Sequence, residues 1–330
     1  MQKCSPSQIA LRSKIEIELL RVCPLRFSFR AEKQVFFPEG KAGNVLRGAL
    51  GNILRKIVCV PHCPDAAHCP EPDCSFRRIF SPRLETGPSG LADPPRPFVL
   101  RAAHLDGLHI AAGETFSFDI HLLSQDPEAT SLIILAMRQA FVAGLGPGRP
   151  PVRLESVERL GRESNPIERI YANGRMLVVS PEFLSMTCPL EPISCQELTL
   201  QFVTPTALKH EGRLLRDEVP FAVVWGRLRD RLSALRLLYG QGAFAAESFA
   251  GLNQEAAENV KTIKQSLRWI ETRRRSSRTG QTHPLEGFIG EVTYAGDLGP
   301  FVPWVHAGFW TGIGRHAVWG LGMVRNFSPW

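Results

Sequence analysis

The segment Gly312–Gly322 reads G-I-G-R-H-A-V-W-G-L-G, with glycines at 312, 314, 320 and 322. Glycine tolerates positive φ and lets a second backbone approach closely. Amide N–H groups in such a loop, with Arg315 and His316 between Gly314 and Gly320, can cradle a phosphate. Two familiar phosphate-loop patterns do not fit. No strand-then-helix context makes it a dinucleotide fingerprint, and the GK[ST] ending of a Walker loop is missing. A tight, Gly-rich entry to an edge strand accounts for the same residues equally well. Histidine titrates near neutrality, so His316 in this loop and His283 upstream suit acid–base work, although a lone histidine is more often structural.

A second chemistry-bearing stretch is cationic. Lys261, Lys264, Arg268, Arg273, Arg274, Arg275 and Arg278 face only one acid, Glu271. Such a strip can follow a phosphate backbone and release its counterions, and Trp269 within it can stack on a base. A solvated face of a hairpin is the plainer reading. A third stretch carries sulfur. Cys59, Cys63, Cys69 and Cys74 read C-x3-C-x5-C-x4-C, with His62 and His68 between them. In a cell interior, four cysteines within sixteen residues favour metal over disulfides. Tetrahedral zinc suits four thiolates, or three and a histidine, and would fix a loop too small for its own core. An iron–sulfur cluster and unligated cysteines are the alternatives. The expected role is structural, with no cofactor for catalysis.

The elements that must position these residues follow from periodicity. Ile15–Phe29 alternates as a strand. Val45, Leu46, Ala49, Leu50, Ile53, Leu54 and Ile57 fall at helical spacing. After the Cys-rich stretch and a Pro/Gly-rich loop, strands are expected at 97–103 and 114–124. A helix then ends at Gly144, and the stretches 152–160 and 175–180 look extended. A second series begins near Leu198: a strand, a helix with Pro220 early in it, a short helical region, and a hairpin of two strands. A short helix and a last strand, LGMVRN, complete it. Each series reads β-α-β-β-α-β. The expected fold class is α+β, two tandem ferredoxin-like domains with a Cys-rich insertion in the first. The expected domains are 1–190 and 191–330, with the boundary between Pro181 and Glu197.

Composition bounds the rest. The 330 residues carry 39 Lys/Arg against 32 Asp/Glu, a net +7, with 44% hydrophobic residues. This excludes a disordered, collagen-like or disulfide-stapled chain, and no apolar run reaches the roughly 18 residues of a membrane span. The N-terminal MQKCSPSQIALRSKIEIELLR lacks the apolar stretch of a secretory signal, so a cytoplasmic protein without membrane partners is expected. The charge is uneven. Residues 1–200 hold 23 Lys/Arg and 21 Asp/Glu, a net +2, whereas residues 201–330 hold 16 and 11, a net +5.

The run TPTALK at 204–209, the helix RLRDRLSALRLLYG and the block GFIGEVTYAGDLGPFVPWVHAGFWTGIGRHAVWGLG together resemble the C-terminal domain of CRISPR-associated repeat-RNA processing endoribonucleases of the RAMP superfamily. The segment LRGALGNILRKIVC is similar to the first helix of that family. The resemblance covers about residues 198–325 well and the first domain more thinly. It implies a metal-independent ribonuclease that cuts CRISPR repeat transcripts. A ribose 2′-OH would attack the adjacent phosphate, leaving a 2′,3′-cyclic phosphate and a 5′-OH. Such chemistry needs a base, an acid for the leaving oxygen, and cations for the developing charge. The family often carries a histidine on or near the first helix. Residues 44–57 here hold Asn44, Arg47, Asn52, Arg55 and Lys56 instead. The catalytic candidates are therefore His316, then Lys41 and Arg47. The candidates for RNA contact are Gly312, Gly314, Arg315, Gly320, Gly322, Arg268, Arg273, Arg274, Arg275 and Arg278. A non-catalytic RAMP-type subunit holding guide RNA in a CRISPR effector complex is the alternative, favoured by the missing histidine. A metal-bound scaffold whose Cys loop docks another protein is a third reading.

Overall fold

A computed structural model describes residues 17–326, apart from 62, 65–67, 72, 83–93, 241, 245–248, 272 and 276–281. The chain divides into two compact units. One comprises Val22–Leu184 with Val318–Gly320, and the other comprises the first 21 residues, Ser185–Ala317 and Leu321 onward.

The first unit is built on β1 (Ile17–Ala31), β2 (Val35–Phe36) and helix α1 (Ala42–Val58), followed by α2 (Ser75–Ile79), β3 (Phe98–Arg101), β4 (His109–Ile110) and β5 (Thr115–Leu122). Helix α3 (Ala129–Arg138), a single turn α4 (Ala140–Ala143), β6 (Val152–Leu160), β7 (Pro166–Ala172) and β8 (Arg175–Met176) complete it. The sheet runs β3-β5-β1-β6-β7-β8, and β9 (Leu184–Cys188) also pairs with β1. Taking β1, β3, β5 and β6 as the four strands, the order 2-3-1-4 is ferredoxin-like. Alternation along β1 and β5 sends phenylalanines inward. Phe27 lies opposite Phe118 and Phe29 opposite Phe116, with rings stacked at 5.7 and 5.5 Å. Such aromatic pairs contribute about 0.5–1.5 kcal/mol each beyond the area they bury. Leu46, Leu50, Ile53 and Leu54 of α1 join the same core. The helical spacing read from the sequence thus marks the buried stripe, and the observed helix extends it at both ends.

The second unit repeats the pattern with β10 (Glu197–Thr206), a small hairpin β11 (Lys209–His210) and β12 (Arg213–Leu214), then α5 (Phe221–Tyr239) and α6 (Ala250–Glu258). Next come β13 (Lys261–Ile270), the hairpin β14 (Arg273–Arg275) and β15 (Thr282–Pro284), β16 (Gly287–Ala295), α7 (Val302–Thr311) and β17 (Val324–Asn326). The sheet order is β13-β16-β10-β17, again 2-3-1-4. Its core is aromatic. Phe221 packs on Tyr294 at 5.1 Å and on Phe301 at 5.0 Å, and Trp225 on Phe301 and Trp304 at 5.1 and 5.2 Å. The buried Tyr294 hydroxyl donates to the Val219 carbonyl at 2.9 Å, as a buried phenol must. Two ferredoxin-like units in tandem are therefore observed as expected. The α+β reading holds, and β7 is an added strand that the sequence pattern did not announce.

Candidate functional site

In the first unit, the candidate Arg47 lies on one face of α1. Gly43, Arg47 and Gly51 are spaced four apart, so they share that face. A side chain at Gly43 would overlap the carbonyl of Trp319, and one at Gly51 would overlap the Phe80 ring. Between these two glycine notches, the Arg47 guanidinium lies 4.6 Å from the centre of Phe80 and 5.3 Å from that of Trp319. Cation–π contacts of this kind contribute about 0.5–2 kcal/mol. Trp319 belongs to the glycine-rich loop, so Arg47 fixes the middle of that loop against α1. Gly320 beside it has positive φ and approaches the Leu100 carbonyl. Helix α1 starts at an exposed Lys41, its N-cap residue. The Ala42 amide donates to Asp106 Oδ1 at 2.8 Å, which caps the helix from another segment. Burial raises the Asp106 carboxyl above its ordinary value, while the capping amides of Ala42 and Lys41 act in the opposite direction.

In the second unit, the rest of the glycine-rich loop follows α7. Gly312, Gly314 and Gly322 all have positive φ, and so does His316 at 66°. At Gly322 a side chain would collide with the Ile313 carbonyl, and only glycine suits this approach. The Gly312, Ile313, Arg315 and Gly322 amides donate to the carbonyls of Gly308, Gly322, Ala207 and Pro205, at 2.8, 2.8, 3.2 and 3.1 Å. These four amides are therefore taken by the fold rather than turned toward a ligand. The loop's exposed charge is the Arg315 side chain, with His316 half-buried beside it.

The cationic strip acquires a shared face through a β-bulge. Register shifts between Thr262 and Lys264, and the extra residue, Ile263, brings Lys261 onto the same face as Lys264 and Arg268. Across the sheet that face continues through Glu291 and Thr293 of β16 to Thr199 and Gln201 of β10, and then to Arg325 of β17. Thr199 and Thr293 hydroxyls bond at 2.9 Å, and Gln201 donates to Glu291 at 3.4 Å. Arg325 was not among the residues singled out from the sequence. Its signal was the alternation in LGMVRN, which buries Val324 and exposes Arg325. Trp269 points to the other face, where the Arg216 guanidinium covers its ring at 4.4 Å, and Arg216 reaches Glu286 at 3.7 Å. Beyond Trp269, Arg274 pairs with His283 in the β14–β15 hairpin. Arg278 lies outside the described residues.

The Cys-rich stretch runs from Cys59, the C-cap of α1, to Cys74, the N-cap of α2. All four thiols are free. The four thiols influence one another's titration. Burial pushes the Cys59 thiol up to about 11, while the Glu71 backbone draws Cys69 below its ordinary value. Among the described residues no group of three or more His, Cys, Asp or Glu is arranged to hold a metal ion. The preformed centre expected from the spacing is therefore not present in this conformation, and His62 lies outside the described residues.

Comparison with known proteins places this arrangement. Residues 200–324 match the family of the CRISPR-associated endoribonuclease Cas6, and residues 20–183 match a family described as an N-terminal domain. A solved Cas6 product complex is 17% identical, with a TM-score of 0.54, covering 93% of this chain and 99% of its own. Thermus thermophilus Cas6 is 15% identical, with a TM-score of 0.53, covering 96% and 100%. A partial Cas6-RT-Cas1–Cas2 complex is 13% identical, with a TM-score of 0.51, covering 93% of this chain and 46% of that one. No curated protein matches the chain. No helix among the described residues is long and apolar enough to cross a membrane.

Proposed function

We propose that this chain, whose residues 200–324 match the family of the CRISPR-associated endoribonuclease Cas6, cuts CRISPR repeat RNA as a member of that family. The cut is a transesterification. The 2′-oxygen bonds to the adjacent phosphorus, the P–O5′ bond breaks, and the products end in a 2′,3′-cyclic phosphate and a 5′-OH. One proton leaves the 2′-OH and one joins the departing 5′-oxygen, so the net reaction consumes no water and needs no metal.

His316 takes the acid–base part, being half-buried and held at a left-handed backbone position beside the exposed Arg315. Lys41, exposed at the start of α1, is the first unit's candidate for supplying positive charge to bound RNA. Arg47 serves as a positioning residue, since its guanidinium is held between Phe80 and Trp319. The open cationic face carrying Lys261, Lys264, Arg268 and Arg325, together with Arg273, Arg274, Arg275 and Arg278, follows the RNA backbone. In this reading Gly312, Gly314, Gly320 and Gly322 shape the loop that presents Arg315 and His316.

The observation carrying the reading is that the family match spans β10 from Leu200 onward, the cationic strand and the whole glycine-rich loop. The test is incubation of the purified protein with labelled repeat RNA in EDTA, followed by analysis of both new ends. A single cut with a cyclic phosphate and a 5′-OH is expected. Tight binding without any cut would favour a non-catalytic subunit that holds guide RNA.

A further inference from the structure

We propose that the first unit carries a nucleotide-binding site of its own, in which a base of single-stranded RNA stacks on His109 while Arg149 takes a neighbouring phosphate. The proposal rests on the RNA-processing reading above, but not on which residues make the cut.

Its first support is an outward-facing aromatic stack. Along the ribbon of β2 and β4, Val35 lies opposite Ile110 and Phe36 opposite His109. Successive side chains point to opposite faces, so one pair turns inward and the other outward. Val35 and Ile110 belong to the hydrophobic core, whereas Phe36 is half-buried and His109 exposed. The two rings stack at 4.3 Å with 19° between their planes, as cross-strand neighbours can. Gln34 Nε2 lies 3.4 Å from His109 Nδ1. The imidazole is thus held flat on a phenyl ring while remaining open to solvent. An unpaired base can stack on such a ring through its π-face.

The second support is a loop that repeats a device of the second unit. Helix α4 ends on Gly144 (φ 71°, ψ 162°) ahead of β6, as α7 ends on Gly312 (φ 69°, ψ 171°) ahead of β17. In each loop several glycines take positive φ, and one residue with a side chain joins them. That residue is Arg149 at 49° in the first unit and His316 at 66° in the second. The Leu145 and Arg149 amides close the first loop on the Pro150 and Gly146 carbonyls at 2.9 and 3.2 Å. Arg149 itself is exposed, and a guanidinium is well matched to phosphate oxygens.

The two features adjoin. A Cβ at Gly146 would sit 3.1 Å from the Phe36 carbonyl oxygen and 3.7 Å from Val45 Cγ1. The loop therefore lies against β2 and the first turn of α1, and Arg149 follows Gly146 by roughly 10 Å of chain at most. The segment leading into β4 is fastened to the same place. The Phe37 amide donates to the Leu108 carbonyl at 3.0 Å and the Gly107 amide to that of Phe37 at 2.8 Å. Asp106 accepts from the Ala42 amide at 2.8 Å. A ring for a base and a cation for a phosphate are thus carried by neighbouring elements of one unit.

The test uses the intact protein and repeat RNA made uncleavable by a 2′-deoxyribose at the cut, with 2-aminopurine placed at one single-stranded position at a time. One position should be quenched on binding. His109→Ala should abolish that quenching and weaken binding about tenfold. His109→Tyr, which keeps a ring for stacking, should restore both. Arg149→Gly should weaken binding and flatten the slope of log affinity against log salt by about 0.7. Glycine suits the positive φ better than arginine does, so the melting temperature of Arg149→Gly should not fall, which separates lost contact from misfolding. Quenching and affinity unchanged in His109→Ala, with Arg149→Gly matching the wild type, would overturn the proposal. So would a wild-type protein that quenches no position. If the all-ribose RNA is still cut in either case, the nuclease reading stands without this site. Quenching that depends on His109, with no cut of the all-ribose RNA, would retire the nuclease reading and keep the site.

Discussion

The helices α1 and α5 follow the first strand of their respective ferredoxin-like units, yet the two surfaces are built for opposite purposes. On α1, glycines at 43 and 51 make notches into which Trp319 and Phe80 press, and Arg47 lies between them. On α5, arginines reach outward to secure backbone. Arg227 donates to the Lys209 carbonyl at 2.9 Å, Arg231 to that of Thr311 at 3.0 Å and Arg236 to that of Gly242 at 3.0 Å. Burial pulls the Arg231 guanidinium down to about 10. Gly226 of α5 has open space around it. The same topological position thus carries a glycine-notched face that receives Trp319 in one unit, and a set of arginine ties in the other. Arginine count alone would have ranked α5 above α1 as the functional helix.

The largest break in this contrast should come from filling a notch. Gly43→Val would push Trp319 away, costing roughly 1–3 kcal/mol in overpacking. Misplacing the loop would also slow cleavage on the order of 10²-fold. Gly226→Ala on α5 should instead raise stability by about 0.5–1 kcal/mol and leave cleavage unchanged. Thermal melts and single-turnover rates on the two variants read this directly. Next in size, Arg47→Ala should lower kcat about tenfold with little change in KM, as expected for lost positioning. Arg227→Ala should cost about 1 kcal/mol of stability, one hydrogen bond's worth, and spare the rate. Equal effects of the two substitutions on kcat would erase the distinction.

A third variant, Arg273→Ala/Arg274→Ala/Arg275→Ala, addresses binding alone. Each lost phosphate contact should flatten the slope of log affinity against log salt by about 0.7. A slope unchanged in filter binding would place the RNA elsewhere.

The smallest effect concerns the cap of α1, since α5 begins at Pro220 without a side-chain cap. Asp106→Ala should cost about 1 kcal/mol. The sign of its pH dependence follows from the raised folded-state value. The protonated form is favoured by folding, so this contribution is full below the ordinary carboxylate range and lost as pH rises through the raised value. Asp106→Asn should therefore gain on the wild type between acid and neutral pH in denaturant melts. A constant difference would refute that assignment.

Much of this architecture was legible in the sequence, because strand alternation and helical spacing report local geometry. The α1 stripe of Leu46, Leu50, Ile53 and Leu54 and both β-α-β-β-α-β element orders came from such periods. What escaped depends on contacts distant in the chain. Strand β7 opens on Pro166, which masks its pairing. The shared face of Lys261, Lys264 and Arg268 depends on one bulged residue that period-2 counting cannot register. Arg47 looked like a free cation because Phe80 and Trp319 approach it only in the folded chain. The glycine-rich loop suggested a phosphate cradle by composition, but four of its amides have carbonyl partners within the same unit.

The central claim, that this chain cleaves RNA through its own substrate's 2′-oxygen, is tested most directly by one substitution in the RNA. Repeat RNA carrying a single 2′-deoxyribose at the cut position should bind with unchanged affinity and resist cleavage completely, while the all-ribose RNA is cut in the same EDTA-containing buffer. Cleavage of the 2′-deoxy substrate at the same bond would contradict the account.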